Sequence, residues 1–232
     1  MFEPVSGKRA PEVIADQIRE RIFSGSYRVG DRLPSERELA RVFNVSPLIL
    51  REALHSLKAQ GLVLIRKGAT GGTFIAPPSH DAATQSLVTL LHSHGTTMEQ
   101  LTEARLVIEP SVAELAASRR TEAQVDTLRS NVRDASSPRR SLLDRSKDNV
   151  AFHRLVAEIS GNPLLTASVR SIMDVFDKDL GKASLREKVT ASITCEHDEI
   201  LEAICDCDRR AAFRLMRKHI QVAHESFNRA DA

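Results

Sequence analysis

Apolar side chains recur at helical spacing in three separate runs near the start of the chain. The first run extends from about Pro11 to Ser24 and has an apolar residue at every fourth position: Ile14, Ile18 and Ile22. The second begins at Ser35, the first residue of an S-x-x-E capping box, and the third follows the capping residue Ser46. The third run has the spacing of a buried helix face: Leu50, Ala53, Leu54 and Leu57. The pattern predicts three short helices, with a tight turn between the second and the third.

Two short segments rich in β-branched and apolar residues, 62–65 and 73–75, follow the third helix. Arg66, Lys67 and three glycines lie between them, so the segments predict a β-hairpin with a basic tip. Three helices followed by such a hairpin have the arrangement of a winged helix-turn-helix, whose last helix fits the major groove of DNA. The periodicity alone is equally compatible with a small helical bundle that has a charged surface.

The segment Pro77-Pro78-Ser79 marks the predicted domain boundary, because two prolines and a polar residue after a strand form a short, stiff linker. We predict a DNA-binding domain over residues 1–76, a linker over 77–81 and a helical domain over 82–232. Seven helices are predicted in the last domain: 82–94, 98–119, 121–135, 140–160, 163–181, 185–206 and 208–229.

The composition favours a mainly α-helical protein, because aromatic residues make up only 4% of the 232 residues. Residues 1–76 hold 12 Lys and Arg against 8 Asp and Glu, although the net charge of the whole chain is only +2. A basic N-terminal part is a weak indication of nucleic-acid binding. No apolar run approaches the roughly 20 residues of a membrane span, and the N-terminus lacks the apolar core of a secretory signal. We therefore expect a cytoplasmic protein that does not contact a membrane.

The three cysteines are odd in number and lie close together near the C-terminus: Cys195, Cys205 and Cys207. We expect all three to be reduced, small apolar residues. Cys205 and Cys207 form a C-x-C pair on a predicted helix, where side chains two residues apart point in different directions.

The stretch Gly30–Ala40, GDRLPSERELA, carries a more specific signal. With Val45-Ser46 and the run LREAL at 50–54, it resembles the signature of the GntR family of bacterial regulators. The resemblance covers residues 11–76 and implies that five residues contact DNA: Arg37, Ser46, Arg51, Lys67 and Gly68. Pro47 departs from the family pattern, which usually has arginine directly after the capping serine. Because proline lacks an N–H donor and a cationic group, we expect a shifted operator sequence or weaker binding.

The second part of the chain, about residues 82–229, resembles the FCD domain, the helical effector domain of FadR-type GntR regulators. The resemblance rests on four stretches: Arg105–Pro110, Asn149–His153, Gly161–Leu164 and Glu196–Ile204. Together the two resemblances imply a mainly α protein, with an N-terminal winged helix-turn-helix and a C-terminal FCD-like helical bundle. They also imply a regulator that is not an enzyme.

Three histidines lie on the apolar faces of three predicted helices: His153, His197 and His219. Each alone is expected to be an ordinary core histidine, but three in one bundle favour a metal site, because neutral imidazole is a common ligand of zinc and nickel. The FCD resemblance implies that the matching positions hold a divalent metal, which helps to bind a carboxylate effector. The family usually has Asp as the first ligand, whereas this chain has Asn149, one turn before His153. An amide oxygen binds a metal more weakly than a carboxylate, so weak metal affinity is expected.

Arg105 is a candidate effector-binding residue, one helical turn before Glu109. Two interpretations are open: its guanidinium holds a carboxylate effector with two hydrogen bonds, or it forms an internal ion pair with Glu109. Three other histidines are expected to face solvent or a dimer surface: His92, His94 and His224.

The sequence thus predicts a homodimeric regulator that binds an inverted-repeat DNA operator, with repression relieved by a small carboxylic acid as the favoured mode. One alternative is a metal-dependent enzyme fused to a DNA-binding module, which the absence of an H-E-x-x-H motif argues against. The other is an architectural DNA-binding protein, which would have no operator preference.

Overall fold

The computed structural model describes the following residues: 9–68, 70–77, 79, 81–180 and 187–228. The chain divides into two compact units, Met1–Ala83 and Thr84–Ala232. Among the described residues, no helix combines the length and the low polarity that are needed to span a bilayer.

The first unit consists of three helices and a two-stranded antiparallel sheet: α1 (Ala10–Phe23), α2 (Glu36–Phe43), α3 (Pro47–Ala59), β1 (Val63–Arg66) and β2 (Gly72–Ile75). Helices α1 and α2 both pack against α3, and β1 follows α3 closely. Their apolar faces form one core, which includes the residues expected from the helical spacing: Ile14, Ile18, Leu39, Leu50, Ala53, Leu54, Leu57, Val63 and Ile75.

Side-chain caps determine where α2 and α3 begin. The Ser35 hydroxyl accepts a hydrogen bond from the N–H of Glu38, and the Glu38 carboxylate accepts one from the N–H of Ser35 at 2.8 Å. Asn44 ends α2 in the left-handed conformation, with φ of 51°, which asparagine adopts more readily than most residues. Ser46 then caps α3 through the N–H of Ile49. The short turn between the two helices is therefore encoded locally.

The second unit is a bundle of seven helices: α4 (Asp81–Ser93), α5 (Met98–Arg119), α6 (Glu122–Ala135), α7 (Leu142–Ile159), α8 (Pro163–Leu180), α9 (Glu187–Cys205) and α10 (Arg209–Asn228). Helix α5 is central, since it packs against α7, α8, α9 and α10. Three small residues on α5 are completely buried and let neighbouring helices approach closely: Ala113, Ala116 and Ala117. The central position of α5 brings its polar residues Arg105 and Glu109 into the core of the bundle.

The predicted fold class is confirmed: a mainly α chain with an N-terminal winged helix-turn-helix and a C-terminal helical bundle. Helix ends agree with the sequence pattern to within two residues wherever both are described. The predicted ends at 181, 185 and 229 lie outside the described residues, as do Pro78 and His80 of the predicted linker. The domain boundaries at 76, 77–81 and 82 stay predictions.

The C-x-C pair does not lie on one helix, so that prediction is wrong. Helix α9 ends at Cys205, and Cys207 adopts the left-handed conformation with φ of 58°. The N–H of Cys207 donates to the carbonyl of Ile204 and the N–H of Asp208 to that of Ala203, which is the hydrogen-bond pattern of a Schellman helix end. The chain therefore turns away one residue earlier than the apolar pattern suggested. All three cysteines are free.

Candidate functional site

Helix α3 has one buried face and one exposed face. The exposed face carries polar and apolar residues in succession: Pro47, Leu48, Arg51, Glu52, His55 and Lys58. Ser46, which begins the helix, is also exposed. Because an exposed helix of this kind fits the major groove, this face is a candidate DNA-reading surface.

The other residues predicted to contact DNA are also at the surface of the first unit. Arg37 is exposed on α2, and Lys67 and Gly68 are exposed directly after β1. Gly68 has φ of 104°, a conformation that side chains rarely adopt, so glycine is required at this position of the turn.

Arg51 on the exposed face of α3 is held by a residue that sequence reasoning did not identify. Its Nε donates to Oε2 of Glu36 at 2.9 Å, and the side chains of Arg51 and Glu36 are 61% and 39% exposed. Glu36 is the first residue of α2 and lies 15 residues before Arg51. Local spacing could not reveal this pair, because it depends on the angle between two helices.

The second unit brings His153, His197 and His219 together at its centre. They come from α7, α9 and α10, and each is at most 2% exposed. The Nε2 atom of His219 lies 3.3 Å from Nε2 of His153 and also 3.3 Å from Nε2 of His197. In the described part of the chain, this is the one group of His, Cys, Asp or Glu ligand atoms that meet closely enough for a metal ion, all within 4.8 Å of one another.

Two carboxylates lie behind the histidine centre, as we call His153, His197 and His219. Oε2 of Glu109 lies 2.5 Å from Nδ1 of His153, and Oε2 of Glu196 lies 2.8 Å from Nδ1 of His219. A carboxylate at Nδ1 favours the tautomer with the proton on Nδ1, which leaves the lone pair on Nε2. In His153 this Nε2 also lies 3.2 Å from Nη2 of Arg105. The arrangement therefore directs electron pairs from two histidines toward the same point.

The third histidine is oriented by stacking. The ring of His197 lies parallel to that of Phe152, with a centroid distance of 3.8 Å and an angle of 10° between the planes. Phe152 is completely buried on α7, next to His153 in sequence. An apolar ring therefore fixes the plane of His197 without supplying a charge.

Burial keeps the imidazoles of His153 and His197 neutral. It lowers the pKa of His153 to about 4, even though Glu109 acts in the opposite direction, and it lowers the pKa of His197 well below its ordinary value. Burial alone would raise the pKa of Glu109, but Arg105 and His153 outweigh it and lower that pKa to about 2. At neutral pH the centre contains neutral His153 and His197 beside an ionised Glu109, and neutral imidazole is the form that binds metals.

Arg105 lies next to the histidine centre and forms an internal ion pair with Glu109. This ion pair is one of the two interpretations that the sequence left open for Arg105. Its Nε donates to Oε1 of Glu109 at 2.6 Å, and both side chains are almost completely buried. Its Nη2 lies 3.2 Å from Nε2 of His153, and its guanidinium lies 4.8 Å from the centre of the Phe176 ring. The cation is thus held between a carboxylate, an imidazole and an aromatic face.

Asn149 and Asp148 have different environments, although they are adjacent on α7. The carboxylate of Asp148 accepts two hydrogen bonds from Arg140, at 2.9 and 2.8 Å. Oδ1 of Asn149 is buried and has no hydrogen-bond partner among the described residues. Since a buried amide oxygen without a partner is unfavourable, this atom is suited to a ligand that supplies positive charge.

The side chains present fit a divalent metal. Three buried imidazole nitrogens converge, two of them have a carboxylate on the opposite ring nitrogen, and Asn149 contributes an unsatisfied oxygen on the same helix face as His153. Nitrogen ligands of this kind suit zinc and nickel.

The remaining histidines differ in exposure. His92 and His94 are exposed, as expected. His224 is half-buried, and its Nδ1 lies 3.3 Å from Oγ1 of Thr102 on α5. The last helix packs closely along α5, which draws this residue inward.

A winged helix-turn-helix with an exposed reading helix, joined to a helical bundle with a buried histidine centre, defines a DNA-binding regulatory protein. Residues 11–75 match the family "Bacterial regulatory proteins, gntR family", and residues 100–222 match the FCD domain. The chain belongs to the gntR family of bacterial regulators and carries an FCD domain.

Curated relatives and a solved structure agree with this assignment. The chain is 31% identical to the Escherichia coli (strain K12) protein named "Putative L-lactate dehydrogenase operon regulatory protein", over 97% of this chain and 88% of the relative. It is 32% identical to the "HTH-type transcriptional repressor NanR" of Klebsiella aerogenes, over 94% of this chain and 85% of the relative. The structure of "Streptococcus agalactiae GntR" is 28% identical, with a TM-score of 0.67 over 93% of this chain and 99% of that one.

The protein is therefore a DNA-binding transcriptional regulator with an FCD effector domain. The prediction that it is not an enzyme is confirmed, since its families and relatives are transcriptional regulators.

Proposed function

We propose that the protein is a homodimeric repressor whose affinity for its DNA operator is controlled by a small carboxylic acid, bound beside a divalent metal at the histidine centre. The observation that carries this proposal is the convergence of three buried imidazole nitrogens next to a buried arginine, inside an FCD domain. A repressive role is supported by the relatives named "HTH-type transcriptional repressor NanR".

The DNA contacts of this proposal come from three parts of the first unit: Arg37 on α2, Ser46 and Arg51 on α3, and Lys67 and Gly68 in the wing. Arg51 reaches a guanine edge or a phosphate from the exposed face of α3. Lys67 and Gly68 face the sugar–phosphate backbone, where a lysine adds affinity and a glycine allows close approach. The exposure of this face of α3 supports binding in the major groove.

The start of the reading helix is apolar in this chain. Pro47 is exposed, and Leu48 is 66% exposed although it is a large apolar residue. An apolar side chain at this point suits the methyl group of thymine rather than the acceptors of guanine. We therefore expect an operator that differs from those read by family members with arginine after the capping serine.

The metal ligands of this proposal are His153, His197 and His219, with Asn149 as a weaker fourth. A bound zinc or nickel ion would supply positive charge and an electron-pair acceptor for a carboxylate oxygen. Arg105 would supply a second cationic contact to the same acid, because its guanidinium already lies against the histidine centre. Glu109 and Glu196 orient two of the imidazoles from behind.

Binding of the acid and binding of DNA must be linked in both directions. If the acid weakens DNA binding by some factor, DNA weakens binding of the acid by the same factor. A two-fold dimer that presents two α3 helices would bind an inverted repeat. The protein would act in the cytoplasm, where the chromosome of a bacterium lies.

Three measurements on the full-length protein test this function. Protein purified without chelator is analysed for bound metal, its preferred duplex is selected from a random-sequence library, and binding to that duplex is measured with a panel of hydroxy acids and dicarboxylic acids that includes L-lactate. We expect a metal-containing dimer, an inverted repeat and an acid that releases the DNA. For alanine substitutions of His153, His197 or His219, the matched control is His92→Ala, because it removes an exposed histidine.

The results separate the alternatives. A metal-free protein with a full response to an acid would exclude the metal from the proposal. Equal affinity for the selected duplex and a scrambled duplex at the same salt concentration would favour an architectural DNA-binding protein.

A further inference from the structure

Arg32 connects the loop between α1 and α2 to the hairpin. The backbone around it pairs with β2: the N–H of Leu33 donates to the carbonyl of Thr73 at 2.8 Å, and the N–H of Ile75 donates to that of Asp31 at 2.8 Å. Arg32 itself forms an isolated bridge with Phe74. The loop thus forms a short additional pairing along the outer edge of the hairpin.

The side chain of Arg32 then reaches the turn of the hairpin. Its Nη2 donates to the carbonyl of Gly71 at 2.5 Å, and its guanidinium lies 5.9 Å from the centre of the Phe74 ring. The hydrogen bond joins residues 39 positions apart in the sequence. Arg32 therefore contacts both the strand and the turn from which Lys67 and Gly68 project.

A glycine makes room for this contact. A Cβ atom at Gly72 would lie 2.7 Å from Nε of Arg32 and 3.2 Å from its Nη2. Gly72 pairs with Arg66, whose own guanidinium lies 4.9 Å from the Phe74 ring. The missing side chain at 72 thus leaves a slot beside Phe74 that the guanidinium of Arg32 occupies.

We propose that Arg32 is a positioning residue for DNA binding, which holds the wing turn (Lys67, Gly68 and Gly71) in the orientation that places Lys67 and Gly68 against the DNA backbone. The inference rests on the proposed DNA contacts of the wing. Arg32 acts through the wing and not through a direct contact with DNA, because its guanidinium is engaged by Gly71 and Phe74.

The test measures DNA binding by the full-length protein, with the duplex that the wild type selects from a random-sequence library, over about 50–200 mM salt. The variants are Arg32→Ala, Lys67→Ala and the combination of both. Arg28→Ala is the matched control, since it removes the same charge from the same loop. A wild-type protein that bound no DNA would already contradict the proposed function, before any variant is compared.

We expect Arg32→Ala and Lys67→Ala each to weaken binding by about three- to tenfold and to lower the slope of log affinity against log salt by about 1. The combined variant should be no weaker than either single variant, within about twofold, because both changes remove the same contact. Arg28→Ala should keep the wild-type slope. A combined variant whose loss is the product of the two single losses would overturn the proposal, as would an Arg32→Ala variant that binds like Arg28→Ala.

Gly72→Ala provides an independent test in case Arg32→Ala unfolds the domain. It keeps the charge of Arg32 but places a Cβ atom 2.7 Å from its Nε, and because φ of Gly72 is 150° the alanine also strains the backbone of β2. We expect Gly72→Ala to lower the salt slope as Arg32→Ala does. Wild-type affinity and salt slope in Gly72→Ala would contradict a role of Arg32 through the wing.

Discussion

Glu196 and His219 are paired on neighbouring helices, with Oε2 of the glutamate 2.8 Å from Nδ1 of the histidine. The imidazole is 2% exposed, while the glutamate side chain is 15% exposed and so remains in contact with solvent. The pair crosses from α9 to α10, and it fixes the ring of His219 so that its Nε2 faces the other two histidines. A carboxylate in this position also makes the imidazole a stronger electron donor.

Glu196→Gln is expected to weaken metal binding by about 10- to 100-fold with little change in the fold, because it keeps the shape of the side chain but removes its charge. Competition with a chromophoric chelator measures the affinity for zinc and for nickel. Glu199→Gln on the same helix is the control, since Glu199 is exposed. Equal losses of metal affinity in both variants would mean that the net negative charge of the helix, and not the contact with His219, controls the affinity for the metal.

Asn149→Asp is expected to tighten metal binding by about tenfold or more, since it places a charged oxygen where the chain has a neutral one. Asn149→Ala is expected to weaken binding, because it removes the buried oxygen that has no partner in the described structure. The same chelator competition distinguishes the three proteins. If all three bind metal equally, the residue at 149 is not a ligand and the site consists of the histidines alone.

Arg105 has a structural role that must be separated from its proposed role in effector binding. Removing one partner of a buried ion pair leaves the other charge uncompensated, so Arg105→Met is expected to destabilise the fold by about 3–5 kcal/mol. The combination Arg105→Met with Glu109→Gln removes both charges and should recover most of that loss. Denaturant unfolding measures the stability of each variant.

The same combined variant tests the effector role of Arg105. Because Glu109→Gln also removes the carboxylate beside His153, the test is made at a metal concentration that saturates the centre. If Arg105 binds the acid, the combined variant should then be stable and bind DNA but fail to release it when the acid is added. Full release of DNA at the wild-type acid concentration would show that Arg105 serves only the ion pair with Glu109.

Much of this architecture could be predicted because it depends on local patterns. The capping box at Ser35, the cap at Ser46 and the apolar faces of the helices act within a few residues, so the sequence indicates them directly. Inward-facing histidines follow from the same periodicity. The periodicity could not indicate that their ligand nitrogens lie within 4.8 Å of one another, because these distances depend on how three helices pack.

The contacts that orient the site residues were not predictable for the same reason. The pair of Glu36 with Arg51, the pair of Glu196 with His219 and the hydrogen bond of Arg32 with Gly71 join residues that are 15, 23 and 39 positions apart. Each depends on tertiary packing, and the residues have no distinctive spacing. The end of α9 was misplaced because Cys207 adopts a left-handed conformation that glycine usually supplies.

Glu36→Gln is expected to reduce the discrimination between the selected duplex and a scrambled duplex. The free energy of unfolding should change by no more than about 0.5 kcal/mol, because the ion pair with Arg51 is exposed to solvent. Arg51 would lose the partner that orients it, and the loss of a negative charge would strengthen binding to any DNA. The measurement is the ratio of affinities for the selected and a scrambled duplex at one salt concentration. Glu52→Gln removes a charge from the same surface without the contact to Arg51, and an equal ratio in both variants would argue against orientation by Glu36.

Pro47→Arg is expected to change the preferred DNA sequence. It restores the residue that the family usually has after the capping serine, and it replaces the apolar start of α3, formed with exposed Leu48, by a cationic side chain that can reach guanine. The helix should still form, because the Ser46 cap does not depend on residue 47.

Selection with the Pro47→Arg variant from a random-sequence library should therefore yield more guanine near the ends of each half-site. Leu48→Ala should reduce the preference for thymine at the same positions. Identical selected sequences for wild type and Pro47→Arg would mean that residue 47 does not face the bases, and that the operator is read further along the helix, from Arg51 onward.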